Sequence, residues 1–195
     1  PARLATPPAV VTFHDLRFPY LFPKAGPLRT RVVQKLARDA DGAIATNRAD
    51  EARLREWGVE SVVWIPIGSN VTPCPPDGYE RAAWRRRLGA GPDDLLISYF
   101  GFLNQSKGAT VLVEALARLV AQGVPARLLM IGGRAGASDP TNHAYAEQVD
   151  RLIAQHRLGE RVHFTGFVED SQGSAHFLAS DLAALPYLDG VSLRR

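Results

Sequence analysis

An α/β fold built on parallel sheets is the class this sequence predicts, and three observations predict it. Short apolar strands alternate with helix-length segments along the whole chain. Leu95 to Phe100 is a continuous apolar run, the pattern of a strand buried on both faces. A proline-dense stretch, Thr72-Pro73-Cys74-Pro75-Pro76-Asp77-Gly78, divides the alternation in two and reads as a linker. Strands alternating with helices of this length form βαβ units, with the sheet covered on both faces.

The elements follow in order. Ala9 to Phe13 reads as a buried strand, and Pro19 and Pro23 mark the loop after it. Leu28 to Arg38 carries Leu28, Val32, Val33 and Leu36 spaced for one helical face. Gly42 to Thr46 is a strand, Ala49 to Trp57 a helix closed by Gly58, and Val62 to Ile67 a third strand. Beyond the linker, Tyr79 to Leu88 is a basic helix and Leu95 to Phe100 a strand. Lys107 to Gln122 is a helix with apolar Val111, Leu112, Ala115, Leu116 and Leu119. Arg127 to Ile131 (strand), His143 to His156 (helix), Arg161 to Phe164 (strand), Ser174 to Ala179 (helix) and Leu182 to Leu185 (strand) complete the series.

The composition is that of a globular protein, with 46% hydrophobic and 22% charged residues among 195. The longest apolar stretch, Leu95 to Leu103, is too short to span a bilayer, and Pro1 to Pro8 has no signal-peptide core. The single cysteine, Cys74, excludes an internal disulfide and predicts a reducing, cytoplasmic setting. The net charge of +3 comes from arginines scattered over several helices, without an aromatic-basic stripe. That argues against nucleic acid and toward smaller anions such as phosphates. Peripheral contact with a membrane stays open, through the basic helix around Arg29 to Arg38. The chain has no initiator Met and ends at Leu193-Arg194-Arg195 just after a strand, so a fragment cut at both ends is expected.

In parallel α/β sheets ligands lie beyond the carboxyl ends of the strands. The loops after Phe13, Phe100, Ile131, Phe164 and Leu185 are therefore where chemistry is expected. Gly101-Phe102-Leu103-Asn104-Gln105-Ser106-Lys107-Gly108 follows a strand and opens a helix, where exposed amides and the Lys107 charge would hold an anion. A solvent-facing lysine beside a turn glycine is the competing reading. The segment is not a P-loop, because Ser106 stands at the second glycine and Gly108 at the hydroxyl. Gly132-Gly133-Arg134-Ala135-Gly136-Ala137 fails as a dinucleotide fingerprint, with Arg134 at the second glycine. The five histidines and Cys74 show no metal-ligand spacing, so no structural metal is expected. His14-Asp15 at a strand end also reads as a local hydrogen-bonded pair, Asp189-Gly190 as a turn, and Phe167 as partly core packing. Asn104-Gln105-Ser106 fits a glycosylation sequon, read here as accidental.

Taken in order, the motifs resemble the family 4 glycosyltransferases of the GT-B fold. They are His14-Asp15, Asp41 to Asn47, Ile65-Pro66-Ile67-Gly68-Ser69-Asn70, Gly101 with Lys107-Gly108, Leu129 to Gly133, Val162 to Val168, and Asp181 to Tyr187. The resemblance implies two Rossmann-like domains, both incomplete. Residues 1–71 would be the C-terminal part of the acceptor-side domain, 72–78 the linker, and 79–195 the donor nucleotide-sugar-binding domain. It implies a retaining transfer of a hexosyl group from a nucleoside-diphosphate sugar to a glycan, lipid or small-molecule acceptor. The donor is a substrate, and no cofactor is expected.

The resemblance also implies roles for individual residues. Lys107, with Gly101, would contact the donor diphosphate and stabilise the charge of the leaving nucleotide. Phe167 and Val168 would lie against the base, and Gly190, Val191 and Ser192 would face sugar and phosphate. His14 and Asp189 would be catalytic. The chain departs from the family at Phe102, which stands where an arginine usually accompanies the lysine. Arg194 or Arg195 is expected to supply the missing cation. The family usually has glutamate at Asp189, and a second glutamate whose place lies past Arg195. Two rivals remain: a non-catalytic nucleotide-sugar-binding module, which Phe102 favours, and a sugar-nucleotide epimerase, which the histidine loop in the first half opposes.

Overall fold

The structure is a computed structural model, and it describes residues 7–16, 26–68, 72–134 and 140–188. The chain divides into two compact units, Pro1–Ser69 with Gly190–Arg195, and Asn70–Asp189. Each holds its own parallel sheet, as the alternation of strands and helices predicts.

In the first unit, β1 (Val10–Phe13), β2 (Gly42–Ala45) and β3 (Val62–Trp64) pair in parallel in that order. They alternate with α1 (Gly26–Asp39) and α2 (Arg48–Glu56). Asn47 caps α2: its side chain accepts the Asp50 N–H at 2.9 Å, leaving one fewer orphan amide at the helix start. The core gathers Phe13, Leu16, Ala37, Ala43, Ala45, Leu54, Val59 and Val62, with Val33 packed against it.

Two expectations are corrected in this unit. In α1, Val33 and Ala37 turn inward, whereas Leu28, Val32 and Leu36 form an exposed stripe at four-residue spacing. Apolar spacing alone could not tell which of the two stripes meets the sheet. Strand β3 stops at Trp64 and does not reach Ile67. Pro66 has no N–H to offer the ladder, and Ile65 and Ile67 are exposed.

In the second unit, α3 (Arg81–Arg87) precedes β4 (Leu95–Phe100), α4 (Ala109–Ala121), β5 (Ala126–Ile131), α5 (Pro140–Gln155), β6 (Val162–Gly166), α6 (Asp170–Ala179) and β7 (Leu182–Ala183). The sheet order is β6-β5-β4-β7, all parallel. Side chains alternate across it with the period of two that a strand imposes. Ile97, Tyr99, Leu128 and Met130 meet α4 and α5 through Leu112, Val113, Leu116, Tyr145 and Val149. Leu96, Leu129 and Ile131 face the other way, against Leu88 and Ala179 from the α3 and α6 side. The unit is thus a sheet with helices on both faces, which is why β4 and β5 are apolar apart from Ser98 and Arg127.

Boundaries shifted where local chemistry intervened. α4 starts at Ala109, two residues later than Lys107, because Gly108 sits at φ +65° and interrupts the helical path. α3 begins at Arg81 and α6 already at Asp170, while β7 ends at Ala183.

Candidate functional site

The ends of β4, β5 and β6 converge on one cleft in the second unit. The loops after β4 and β5 meet backbone to backbone. Gly101 lies at φ +109° and Gly132 at φ +120°, and a Cβ on Gly132 would sit 3.2 Å from the Gly101 carbonyl carbon and oxygen. Only glycine holds both that backbone region and that approach. The Gly101 N–H donates to Ile131 O at 2.8 Å, and the Gly132 N–H to Thr165 Oγ1 at 3.2 Å, which ties all three strand ends together.

Lys107 stands on a 3-10 turn, Gln105–Lys107, just before α4. Asn104 builds that turn: its side-chain oxygen accepts the Lys107 N–H at 3.0 Å and the Ser106 hydroxyl at 2.9 Å. The Asn104-Gln105-Ser106 triplet is therefore a capping device. The Lys107 ammonium lies against Gly101, where any Cβ would collide with it. Lys107 is half-buried, and that burial lowers its pKa below the ordinary 10.5. Among the described residues no carboxylate pairs with it. The amides at the start of α4 are less available than expected, because the Thr110 N–H already donates to the Tyr145 hydroxyl at 3.1 Å.

The cleft beside Lys107 has a volume of about 460 Å³. Phe100 and Phe177 form one wall, their rings 5.5 Å apart. Phe102 is 51% exposed and lies over Gly133, where a Cβ would come within 2.8 Å of its ring. The Phe102 carbonyl accepts the hydroxyl of buried Tyr99 at 3.2 Å, which fixes the loop from beneath. Phe167 and Val168 line the cleft from the β6 loop. Phe167 is 82% exposed, so the expectation of partial core packing is corrected: its ring faces solvent and cleft, while Val168 packs against the core.

Glu169, Asp170 and Ser174 also line the cleft, and reading the sequence singled out none of them. Their signal was an acidic pair at the start of a helix, which is ordinary as a capping feature. Here Glu169 occupies the N-cap position without any side-chain cap bond. Ser174 is buried and accepts the Cys74 N–H at 3.1 Å, so the proline-rich segment is fastened to α6.

The remaining candidates fall in three places. Asp189, Gly190, Val191, Ser192, Arg194 and Arg195 lie outside the described residues. The loop just ahead of Asp189 packs on the Lys107 turn: the Leu188 N–H donates to Ser106 O at 2.8 Å, and the Pro186 carbonyl leaves no room for a Cβ on Gly108. His14 belongs to the first unit, exposed after β1, with its carbonyl accepting the Thr46 hydroxyl at 3.1 Å. Asp50 receives the Leu16 N–H at 3.3 Å and the Asn47 amide at 2.7 Å, which ties the His14 loop to the α2 cap. Among the described residues no group of His, Cys, Asp and Glu could hold a metal ion, and no helix is long and apolar enough to cross a membrane.

Known proteins resemble this chain in sequence and in fold. The family model described as "Glycosyl transferases group 1" matches residues 80–192, and that described as "Glycosyl transferase 4-like domain" matches residues 1–68. D-inositol 3-phosphate glycosyltransferase of Geodermatophilus obscurus is 28% identical over 164 residues, covering 81% of this chain and 36% of the relative. The GDP-mannose-dependent alpha-(1-6)-phosphatidylinositol dimannoside mannosyltransferase of Mycobacterium tuberculosis is 27% identical, covering 78% and 36%. Among solved structures, sucrose-phosphate synthase of Thermosynechococcus elongatus superposes with a TM-score of 0.67 at 26% identity, covering 91% of this chain and 44% of that one. Anabaena Alr3699/HepE shares the fold, with a TM-score of 0.76 at 24% identity and coverage of 93% and 47%. The chain thus spans about a third of the length of the curated relatives it matches. On the family match across more than half its residues, this chain belongs to the group 1 glycosyl transferases.

Proposed function

We propose that this chain is part of a retaining glycosyltransferase that moves a hexosyl group from a nucleoside-diphosphate sugar to a glycan, lipid or small-molecule acceptor. The observation that carries the reading is Lys107: a half-buried ammonium with no carboxylate partner among the described residues, set against Gly101 beside an aromatic cleft. A buried cation is costly unless an anion compensates it, and a diphosphate would do so. The two curated relatives support the reading by their printed names, one an inositol phosphate glycosyltransferase and one dependent on GDP-mannose.

In this scheme Lys107 neutralises the charge that develops as the nucleotide leaves. The base enters the cleft against Phe167 and Val168, and Gly101 lets the backbone approach the diphosphate. Gly190, Val191 and Ser192 contact the sugar and phosphate, and Asp189 and His14 act at the reacting centre. Arg194 or Arg195 supplies the second cation that Phe102 does not. Because Phe102 withholds a charge from the cleft, a non-catalytic nucleotide-sugar-binding module is the competing reading.

Substitution of His14 separates the two. An enzyme carrying His14→Ala should keep its affinity for a nucleoside diphosphate, measured by calorimetry, while transfer from the nucleotide sugar falls at least about a hundredfold. The anomeric configuration of the product, read by NMR, should match that of the donor. Binding without transfer in the unaltered chain would favour the module, and an inverted product would refute retention.

A further inference from the structure

We infer that Glu169 and Asp170 select guanine as the donor base, an inference that rests on the nucleotide-sugar reading above. The cleft that would receive the base is aromatic on its walls, through Phe100, Phe102, Phe167 and Phe177, so any flat base can stack there. Stacking does not choose among bases. The polar groups on the rim must do that, and the charged ones among the described lining residues are two carboxylates, with no lysine or arginine.

Both carboxylates are exposed and without an ion pair or side-chain hydrogen bond among the described residues. Glu169 even forgoes the cap bond its position would allow. Two acidic groups on the wall of a site for an anionic diphosphate repel the ligand unless the ligand brings donors to them. Guanine does, because its N1–H and N2–H groups are adjacent and parallel, matching the two oxygens of one carboxylate. Adenine presents a lone pair at the corresponding ring nitrogen and meets repulsion. Uracil has a single N–H flanked by two carbonyl oxygens, which face the acidic rim unfavourably.

Calorimetric titration of the chain with GDP, UDP and ADP, in wild type and in Glu169→Gln/Asp170→Asn, tests this. A bidentate carboxylate–guanine contact should favour GDP over UDP and ADP by about ten- to a hundredfold. The double variant should bring GDP down to the level of UDP, with UDP binding unchanged or tighter. Both residues are exposed, so the variant keeps the fold, which circular dichroism checks. Equal or tighter binding of UDP or ADP by the wild type would overturn the inference while leaving the nucleotide site standing. So would a guanine preference that survives the double substitution. Absence of binding by all three nucleotides would overturn the donor-site reading itself.

Discussion

Lys107 shows what a single residue contributes and how its chemistry can be read. Its place in the chain, between a strand-ending glycine and a helix, was legible from order alone. Its surroundings were not: the half-burial and the collision-tight approach to Gly101 arise only when the Asn104 cap folds the turn back on β4. Burial lowers the Lys107 pKa from 10.5. The ammonium is therefore charged below that lowered value and neutral above it, so affinity for a nucleoside diphosphate should fall as pH rises, with a midpoint below 10.5. Titrations of wild type against Lys107→Arg, which stays charged, check this; a wild-type affinity that falls no more than that of Lys107→Arg as pH rises to 10.5 would contradict it. Glu169 and Asp170 escaped the sequence reading because a helix-start acid has a common structural explanation. Phe167 was misjudged because apolar character does not say which side of a strand end a ring leaves from.

At the scale of elements, the arginines of α3 have a structural task that composition could not disclose. Arg85 is only 4% exposed, and its guanidinium donates to Ala179 O at 3.0 Å, Gly91 O at 2.9 Å, Asp94 O and the Asp181 carboxylate at 3.0 Å. Arg81 reaches the other Asp181 oxygen at 2.6 Å. A seven-residue helix is too short to persist unaided, and these bonds fasten α3 to α6, β4 and β7. Arg85→Met should cost about 3 kcal/mol, the lower end for a broken buried ion pair, because Asp181 is partly exposed. Burial opposes ionisation of Asp181, but the Leu96 N–H and the two guanidinium groups outweigh it and hold its pKa below 3.8. The stability this adds is complete above 3.8 and lost as pH falls through the lowered value, so Arg85→Met should also flatten the acid limb of the unfolding curve. Denaturant unfolding at pH 7 and pH 3 measures both effects, and a loss below about 0.5 kcal/mol at pH 7 would contradict the fastening role. Strands such as β4 were readable to the residue because both faces are buried. α1 was not, since two apolar stripes compete and only packing decides between them.

Across the molecule, the alternation of strands and helices carried the α/β class and the parallel sheets, because that pattern leaves few other ways to bury so many apolar strands. The cleft was legible only in outline. Its walls come from positions as far apart as Phe100 and Phe177, and sequence order gives no distance between the loops that hold them. The family match then places this chain with the group 1 glycosyl transferases, while the donor-site chemistry rests on the cleft and on Lys107. Thermal unfolding with and without nucleoside diphosphates, on wild type and Lys107→Ala, tests that chemistry most directly. A nucleotide at a hundred times its dissociation constant adds about 2.7 kcal/mol, a rise of roughly 5–10 °C for a protein of this size. One nucleoside diphosphate should produce that rise in wild type, and Lys107→Ala should abolish most of it. An unchanged rise in Lys107→Ala, or no rise with any nucleotide, would contradict the assignment of Lys107 to the donor diphosphate.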